Sequence, residues 1–377
     1  MKVIVSSLGR FHAFDLAKQL QRKGYLQHLY TAYPYFKIEK SLRPYSYSFP
    51  WFFCITSLFT RLGCHYVTYH LNWFTIETFD QWVARHITPC DVFVHLSQFG
   101  LYSAHRAKQM GARVVCDRGS SHIVYQNELL AEEYALWGIP YIPIDSRIIE
   151  KELQEYENAD LIVVPSSFAY RSFLEKGIPK HKLVKIPYGV DLSLFHPSPK
   201  QDDIFRVIYV GTMSLQKGVH YLLEALAPCR LPKFELVLIG KMLPEIKPWF
   251  AKYEGHFRYL GFIPRIKLYH YYSQASVFVL ASIQEGLALV IAQAMACGLP
   301  VIATTNSGAE DLFTNGIEGF IVPIRDSEAI REKVLYLYKH PDVREEMAQA
   351  ALKRVRQLRG WDTYGETYIR VLEGLIK

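Results

Sequence analysis

Glu285 follows an apolar run, SVFVL (276–280), and precedes Gly286, the apolar helical pattern LALVIAQAMACG, and a Gly-Leu-Pro turn into a second apolar run, PVIA (300–303). A buried strand, an acidic loop and a helix N-terminus are how an α/β protein presents groups to a ligand at the carboxyl edge of a parallel sheet. The helix N-terminus offers unpaired N–H groups and a positive dipole end, which suit a phosphate. The carboxylate beside it suits sugar hydroxyls instead, so the pair points to a nucleotide-sugar. Gln293 lies eight residues after Glu285. If helical throughout, that spacing is two turns, or ~12 Å, enough to hold the sugar with one group and the ribose with the other.

Three further segments point toward the same cleft. YVGTMSLQKGVHYLLEAL (209–226) reads as strand, turn and helix, with Gly211 allowing a sharp turn at the strand end. Lys217 stands at the helix start, where a cation opposes the dipole, so a phosphate partner explains it better than surface placement does. In YLGFIPRIKLYHYY (259–272), Gly261 begins a turn whose backbone could read a base edge beside Phe262 and Ile263. NSGAEDLFTNGIEGFIVP (306–323) is a loop signal, with Ser307-Gly308 before a short helix and Gly316 and Gly319 as turns. The chain has no DxD, HExxH or GxSxG, and no GxGxxG follows its first apolar run. The first absence argues against paired aspartates holding a cation on a diphosphate, so no metal and no other cofactor is expected. The last argues against a dinucleotide oxidoreductase.

The elements that must position these groups alternate between apolar runs and helical patterns. VIV (3–5), DVFVHL (91–96), RVVC (113–116), LIVV (161–164) and VKI (184–186) predict strands of a first half. RVIYV (206–210), FELVLIG (234–240), SVFVL, PVIA and FIV (320–322) predict those of a second. The polar, proline-bearing segment LFHPSPKQDD (194–203) reads as the linker. The expected organisation is a first domain over 1–195, a second, nucleotide-sugar-binding domain over 204–355, and a last helix, 356–377, crossing back onto the first. With 377 residues, 50% hydrophobic and 21% charged, the chain has the composition of a folded enzyme. Six scattered cysteines show no metal spacing; Cys116, Cys229 and Cys297, in or beside apolar runs, read as buried thiols, and a reducing cytoplasm is expected. The start, MKVIVSSLGRFHAF, reads as a strand rather than a signal peptide. A net charge of +7, evenly spread, fits anionic substrates or an anionic membrane surface and not nucleic acid.

The region 30–85 departs from this alternation. Residues 30–82 hold 17 aromatic residues, among them Trp51, Phe52, Phe53, Trp73 and Trp82. Over 31–75 four basic residues (Lys37, Lys40, Arg43, Arg61) stand against one acidic residue, Glu39. Two readings stay open: an aromatic helical insertion packed into its own core, or an amphipathic surface, lying on a membrane rather than crossing it, whose aromatic and basic groups meet lipid headgroups or a lipid-linked acceptor.

The set GT-x4-KG, LGF-x-P, S-x-x-EG-x6-Q-AMACG-x-PVIA and SG-x-E-D resembles the C-terminal domain of glycosyltransferase family 4, the retaining GT-B enzymes. SSLGRFH, VIVVPSSF and KIPYGVDLSLFHP resemble the N-terminal domain of the same family. The resemblance implies two Rossmann-like parallel-sheet domains facing across a cleft. It also implies transfer of a hexosyl group from an NDP-sugar to an acceptor hydroxyl, with retention and without metal. Glu285 would then bind donor-sugar hydroxyls. The loop Gly286, Leu287, Ala288 and Leu289 would give N–H groups to the diphosphate, and Lys217 would neutralise it on departure. Phe262 and Ile263 would flank the base, and Gly211 and Thr212 would line the donor site. Gly9 would permit close approach in the first loop, with His12 beside it on the acceptor side. Three positions depart from the pattern: Gln293 replaces a second glutamate, Thr212 an arginine, and DRGSSH (117–122) lacks a histidine usual in the first domain. Arg118 could compensate for Thr212, and Arg118 or His122 takes the histidine's place. His95 is either a structural histidine or an acceptor-site group. The acceptor class stays open between saccharide, lipid-linked and small-molecule hydroxyls. A GT-B sugar-nucleotide epimerase and a catalytically inactive GT-B binding protein are the alternatives.

Overall fold

The computed structural model describes the backbone of residues 1–62 and 65–377, and all their side chains except those of 52, 57, 60, 61 and 65–70. The readings made on Phe52, Arg61 and Cys64 therefore lie outside the described residues.

The chain builds two parallel sheets. The first holds β1 (Val3–Ser7), β2 (Leu26–Thr31), β3 (Ser46–Ser48), β4 (Val92–Leu96), β5 (Arg113–Asp117), β6 (Leu161–Val164) and β7 (Leu183–Lys185), ordered 3-2-1-4-5-6-7. The second holds β8 (Phe205–Val210), β9 (Phe234–Ile239), β10 (Arg258–Tyr259), β11 (Val277–Leu280), β12 (Val301–Thr304) and β13 (Gly319–Val322), ordered 10-9-8-11-12-13. Both sheets reverse their winding next to their first strand, which opens a crevice between β1 and β4 and another between β8 and β11. Helices cover both faces, so the central strands are buried throughout: all five residues of β1 and of β4 are buried. That burial is why their sequences read as continuous apolar runs.

Three strands fell outside the expected alternation. β2, LQHLYT, carries polar residues; β3, SYS, and β10, RY, are short edge strands with no apolar run to announce them. The region 30–85 is accordingly not a separate insertion. It contains the end of β2 and all of β3, then helices Trp51–Arg61 and His65–His86. Ile76, Phe79 and Val83 of the second helix are buried in the first core, which makes that half of the helix the ordinary crossover from β3 to β4. Helix Trp51–Arg61 is the added element, tied to its neighbour by Thr56 Oγ1 and Thr75 Oγ1 at 2.7 Å.

The helix Gly360–Leu375 returns to the first domain and packs on helix Ala13–Arg22. Gly365 is the contact point, since a Cβ there would lie 2.4 Å from Gln19 Cγ. Gln19 and Arg22 both donate to Asp362 (3.0 and 2.9 Å), and the Tyr368 hydroxyl donates to Asp117 at 3.1 Å. This helix therefore reaches the carboxyl edge of β5. A Gly365→Val change should overpack the contact and destabilise the protein by about 1–3 kcal/mol, read as a lower urea midpoint; an unchanged midpoint would mean the helix is only loosely seated.

Candidate active site

A cleft of about 580 Å³ lies between the carboxyl edges of the two sheets. The first domain lines it with the loops after β1, β4 and β5; the second contributes Arg265, Leu289 and Gln293, and the returning helix contributes Trp361. Parallel strands end on one side of a sheet, so side chains over 100 residues apart in sequence meet there. His12, from the loop after β1, places Nε2 2.9 Å from Oδ1 of Asp117 at the end of β5. Asp117 is itself fixed by Tyr368, and the His12 ring packs 4.5 Å from that of Tyr188. In the neutral ring, a carboxylate on Nε2 makes that nitrogen the donor and leaves a lone pair on Nδ1. Gly119 leaves room there, for a Cβ at this position would come within 3.7 Å of Nδ1.

Arg118 also lines the cleft, but its guanidinium is locked. It is buried and donates to Glu152 (3.1 Å), Gln126 (2.8 Å), Ser97 Oγ (3.3 Å) and the Ser121 carbonyl (3.1 Å). Burial alone would lower its pKa, yet the Glu152 carboxylate raises it, so the group stays charged. Helix Ser146–Asn158, which carries Glu152, also carries Glu155, which accepts from the Gln98 and Gly100 amides at 2.6 and 2.9 Å. Those bonds hold the loop after β4, where Gln98 takes φ +78°, against the cleft. Burial, then the Asp80 charge, pushes Glu155 well above the usual carboxylate range.

In the second domain, Lys217 Nζ and Glu285 Oε1, neither of them part of the cleft lining, are 2.6 Å apart, and Ser282 Oγ donates to the same oxygen at 3.0 Å. The helix after Lys217 starts at Val219, with Gly218 at φ +63° as its cap. A Cβ on Gly218 would lie 1.8 Å from the Ala281 carbonyl oxygen, so glycine is what lets this turn sit on the end of β11 and bring Lys217 to Glu285. The loop after Glu285 is stitched to the segment after β12: Glu285 N–H donates to the Asn306 carbonyl and Ala288 N–H to that of Ser307, at 3.1 and 3.0 Å. Helix Leu289–Ala296 follows. Among the described residues, the N–H groups of Gly286, Leu287, Leu289 and Val290 have no acceptor.

Several expectations need correction. Ala288 cannot give its N–H to a phosphate while Ser307 holds it. The helix starts at Leu289 rather than at Glu285, so the two-turn spacing to Gln293 does not apply. Gln293 itself is buried at the cleft wall, its Oε1 3.4 Å from the Tyr272 hydroxyl. His122 does not fill the place of the missing histidine: it is buried, caps helix Ile123–Leu136 by accepting from Val124 N–H, and lies outside the cleft lining. His95 is completely buried in β4 under Gly100, whose Cβ would lie 2.0 Å from its Nδ1, so it is a core group without access to an acceptor. Gly9 is buried beneath Phe11, and Arg10, Phe11 and His12 line the cleft in its place. Arg118, committed to Glu152, does not stand in for the cation lost at Thr212. Thr212 is half-buried, its carbonyl taking the Tyr209 hydroxyl at 2.8 Å. Gly211 is half-buried beside it. Phe262 is exposed with Lys241 5.9 Å from its ring, and Ile263 is half-buried.

Two groups went unnoticed in the sequence. Arg265 lines the cleft and has no ion pair among the described residues; its signal was a cation directly after the Gly261–Pro264 turn. Asp117 ends a buried strand at the carboxyl edge, a placement that by itself marks a candidate.

The model for "Glycosyltransferase Family 4" matches residues 10–194 and that for "Glycosyl transferases group 1" matches residues 193–354. The chain belongs to the family 4 glycosyltransferases. It is similar to a probable sucrose-phosphate synthase of Thermosipho melanesiensis, 27% identical over 64% of this chain and 56% of the relative. It is also similar to the putative colanic acid biosynthesis glycosyltransferase WcaL of Escherichia coli, 28% identical over 48% of each. The chain thus spans about half the length of these curated relatives. Among solved structures, a sucrose-phosphate synthase of Thermosynechococcus elongatus superposes with a TM-score of 0.75 at 21% identity, covering 100% of this chain and 99% of that one. Anabaena HepE in complex with UDP-glucose gives 0.71 at 17% identity, covering 99% and 100%. These likenesses show the fold, the GT-B arrangement of two Rossmann-like domains.

The corrected role of His122 has a pH signature. Burial, then the Arg118 charge, pushes its pKa down to about 4. Between the ordinary value of about 6.5 and 4, the unfolded chain takes up a proton that the folded chain refuses. His122 therefore withdraws stability as pH falls through that window. His122→Asn keeps a capping side chain and removes the titration. Its melting temperature should match the parent's at neutral pH and exceed it at pH 5, with turnover retained; lost turnover in a folded variant would return His122 to the chemistry.

Proposed function

We propose that this protein transfers a sugar from a nucleoside-diphosphate sugar, UDP-linked in the first instance, to an acceptor hydroxyl bound on the His12 side of the cleft. The observation that carries the reading is the Lys217–Glu285 pair beside the free amides of Gly286, Leu287 and Leu289. In this pair each charge satisfies the other. A diphosphate would compete with Glu285 for Lys217, taking the cation and the helix N-terminus and releasing the carboxylate to accept sugar hydroxyls. Arg265 adds a cation from the same domain, and Gln293 offers an amide for ribose hydroxyls. Fixed cations and amides stabilise the charge that develops on the departing diphosphate, so the step needs no metal.

In the reaction the acceptor oxygen bonds to the anomeric carbon as the bond from that carbon to the phosphate oxygen breaks, giving a glycoside and UDP. Family membership favours retention, with the acceptor proton passing to the departing phosphate. The His12–Asp117 pair supports a second reading. An imidazole with a free Nδ1, oriented by a carboxylate, could take the acceptor proton itself, as a single inverting displacement requires. The anomeric configuration of the product, read by NMR, separates the two.

A thermal-shift screen against UDP-, GDP- and ADP-sugars tests the donor reading, since a ligand of the folded state raises the melting temperature. A UDP-sugar should raise it, and Lys217→Ala should lose that shift and about two or more orders of magnitude in turnover while still folding. Gln293→Glu should bind the donor at least as well as the parent. No shift with any nucleotide-sugar, together with no turnover, would favour the inactive binding protein; an epimerised donor formed without acceptor would favour the epimerase.

A further inference from the structure

Helix Trp51–Arg61 presents an apolar face that the fold leaves open. Trp51, Ile55 and Leu58, continued by Leu62 just beyond the helix, are 70%, 44%, 56% and 65% exposed. Their spacing of four, three and four residues places them along one side. Phe36, 73% exposed, and the half-exposed Tyr35 stand in the preceding loop, which meets the helix where the rings of Tyr33 and Phe53 lie 6.5 Å apart. That loop carries Lys37, Lys40 and Arg43, and from Lys40 to Ile76 the sequence holds no aspartate or glutamate.

We propose that this face is a docking surface for an anionic phospholipid bilayer. Apolar side chains on one helix face beside a mainly basic rim, whose one carboxylate, Glu39, is paired with Arg10 and Lys18, are what an interfacial helix needs. No described helix is long and apolar enough to cross a membrane, and this one has 11 residues, so it lies on the surface. The charge argues against a second copy of the chain as occupant: a two-fold contact would bring Lys37, Lys40 and Arg43 toward their own equivalents, whereas lipid phosphates complement them.

The basic loop is also joined to the cleft. Glu39 accepts from Arg10 (2.8 Å) and Lys18 (2.6 Å), and Arg10 lines the cleft mouth. Protein docked through this face holds the acceptor side of the cleft near the bilayer, which suits an acceptor hydroxyl carried on a lipid. That last step rests on the proposed transfer; the surface itself does not.

The test is co-sedimentation with vesicles of phosphatidylcholine alone or mixed with phosphatidylglycerol. The parent should pellet with the mixed vesicles, much less with phosphatidylcholine alone, and less as salt rises. Trp51→Ser combined with Leu58→Ser should weaken binding about tenfold or more. Lys37→Gln with Lys40→Gln should remove the preference for anionic lipid; Arg43 is left in place because it holds the Ile38 and Phe36 carbonyls at 2.9 and 2.8 Å. Both variants should keep the parent's melting temperature and its shift with UDP-sugars. A parent that ignores anionic vesicles, or a Trp51/Leu58 variant that binds like the parent, overturns the proposal. A dimer in sedimentation velocity that this variant abolishes would reassign the face to self-association, and also overturns it. Vesicle binding without any nucleotide-sugar shift would keep the surface and dismiss the transfer.

Discussion

The site depends on how closely two loops approach across the domain boundary. A Cβ on Gly286 would lie 2.0 Å from the Gly119 carbonyl oxygen, so only backbone without side chain fits between the edge of β5 and the loop after β11. Around that contact, Gln284 Nε2 donates to the Ser120 and Ser121 hydroxyls at 2.7 and 2.9 Å, and Ser166 Oγ donates to the Gly286 carbonyl at 2.5 Å. Asp311 accepts from Lys185 and Ser167, and Glu310 from Arg171, so the SG-x-E-D segment works as a clamp between domains. The approach brings Leu289, at the start of the helix beyond Glu285, into the same cleft lining as the His12–Asp117 pair.

Behind the first-domain wall of the cleft lies an unusually charged interior. Lys151 pairs with Asp80 and Glu77, Arg118 with Glu152, and all but Glu77 of these are buried. Buried pairs of this kind recover little stability over apolar packing, because desolvation offsets much of their attraction. Their effect here is positional. Asp80 accepts from the Tyr102 and Ser103 amides, capping helix Leu101–Gln109, while Glu155 fixes the turn before it. One helix, Ser146–Asn158, thereby sets the backbone of the cleft loop after β4 and the guanidinium after β5.

The central strands and the Glu285 loop were legible because burial on both faces forces apolar runs and a ligand-binding edge forces glycine and charge at strand ends. What stayed hidden depends on neighbours far apart in the chain. His12 and Asp117 are 105 residues apart and meet because β1, β4 and β5 lie side by side. DRGSSH looked like a place for a free cation or base; its Arg118 is neutralised by a carboxylate on a later helix and its His122 spends its lone pair on a cap. The edge strands β3 and β10 lack burial, and with it the pattern that burial imposes. The Glu285–Gln293 spacing misled because the loop continues to Ala288 before any helical hydrogen bond forms.

The central claim is that the Lys217–Glu285 pair is a donor site closed on itself. A crystal structure with UDP tests it most directly. The account predicts that the pair opens, with Lys217 Nζ and the amides of Leu287 or Leu289 within about 3 Å of the diphosphate oxygens and Glu285 turned toward the sugar position. A nucleotide bound elsewhere, or at the cleft with the pair still intact, would contradict it.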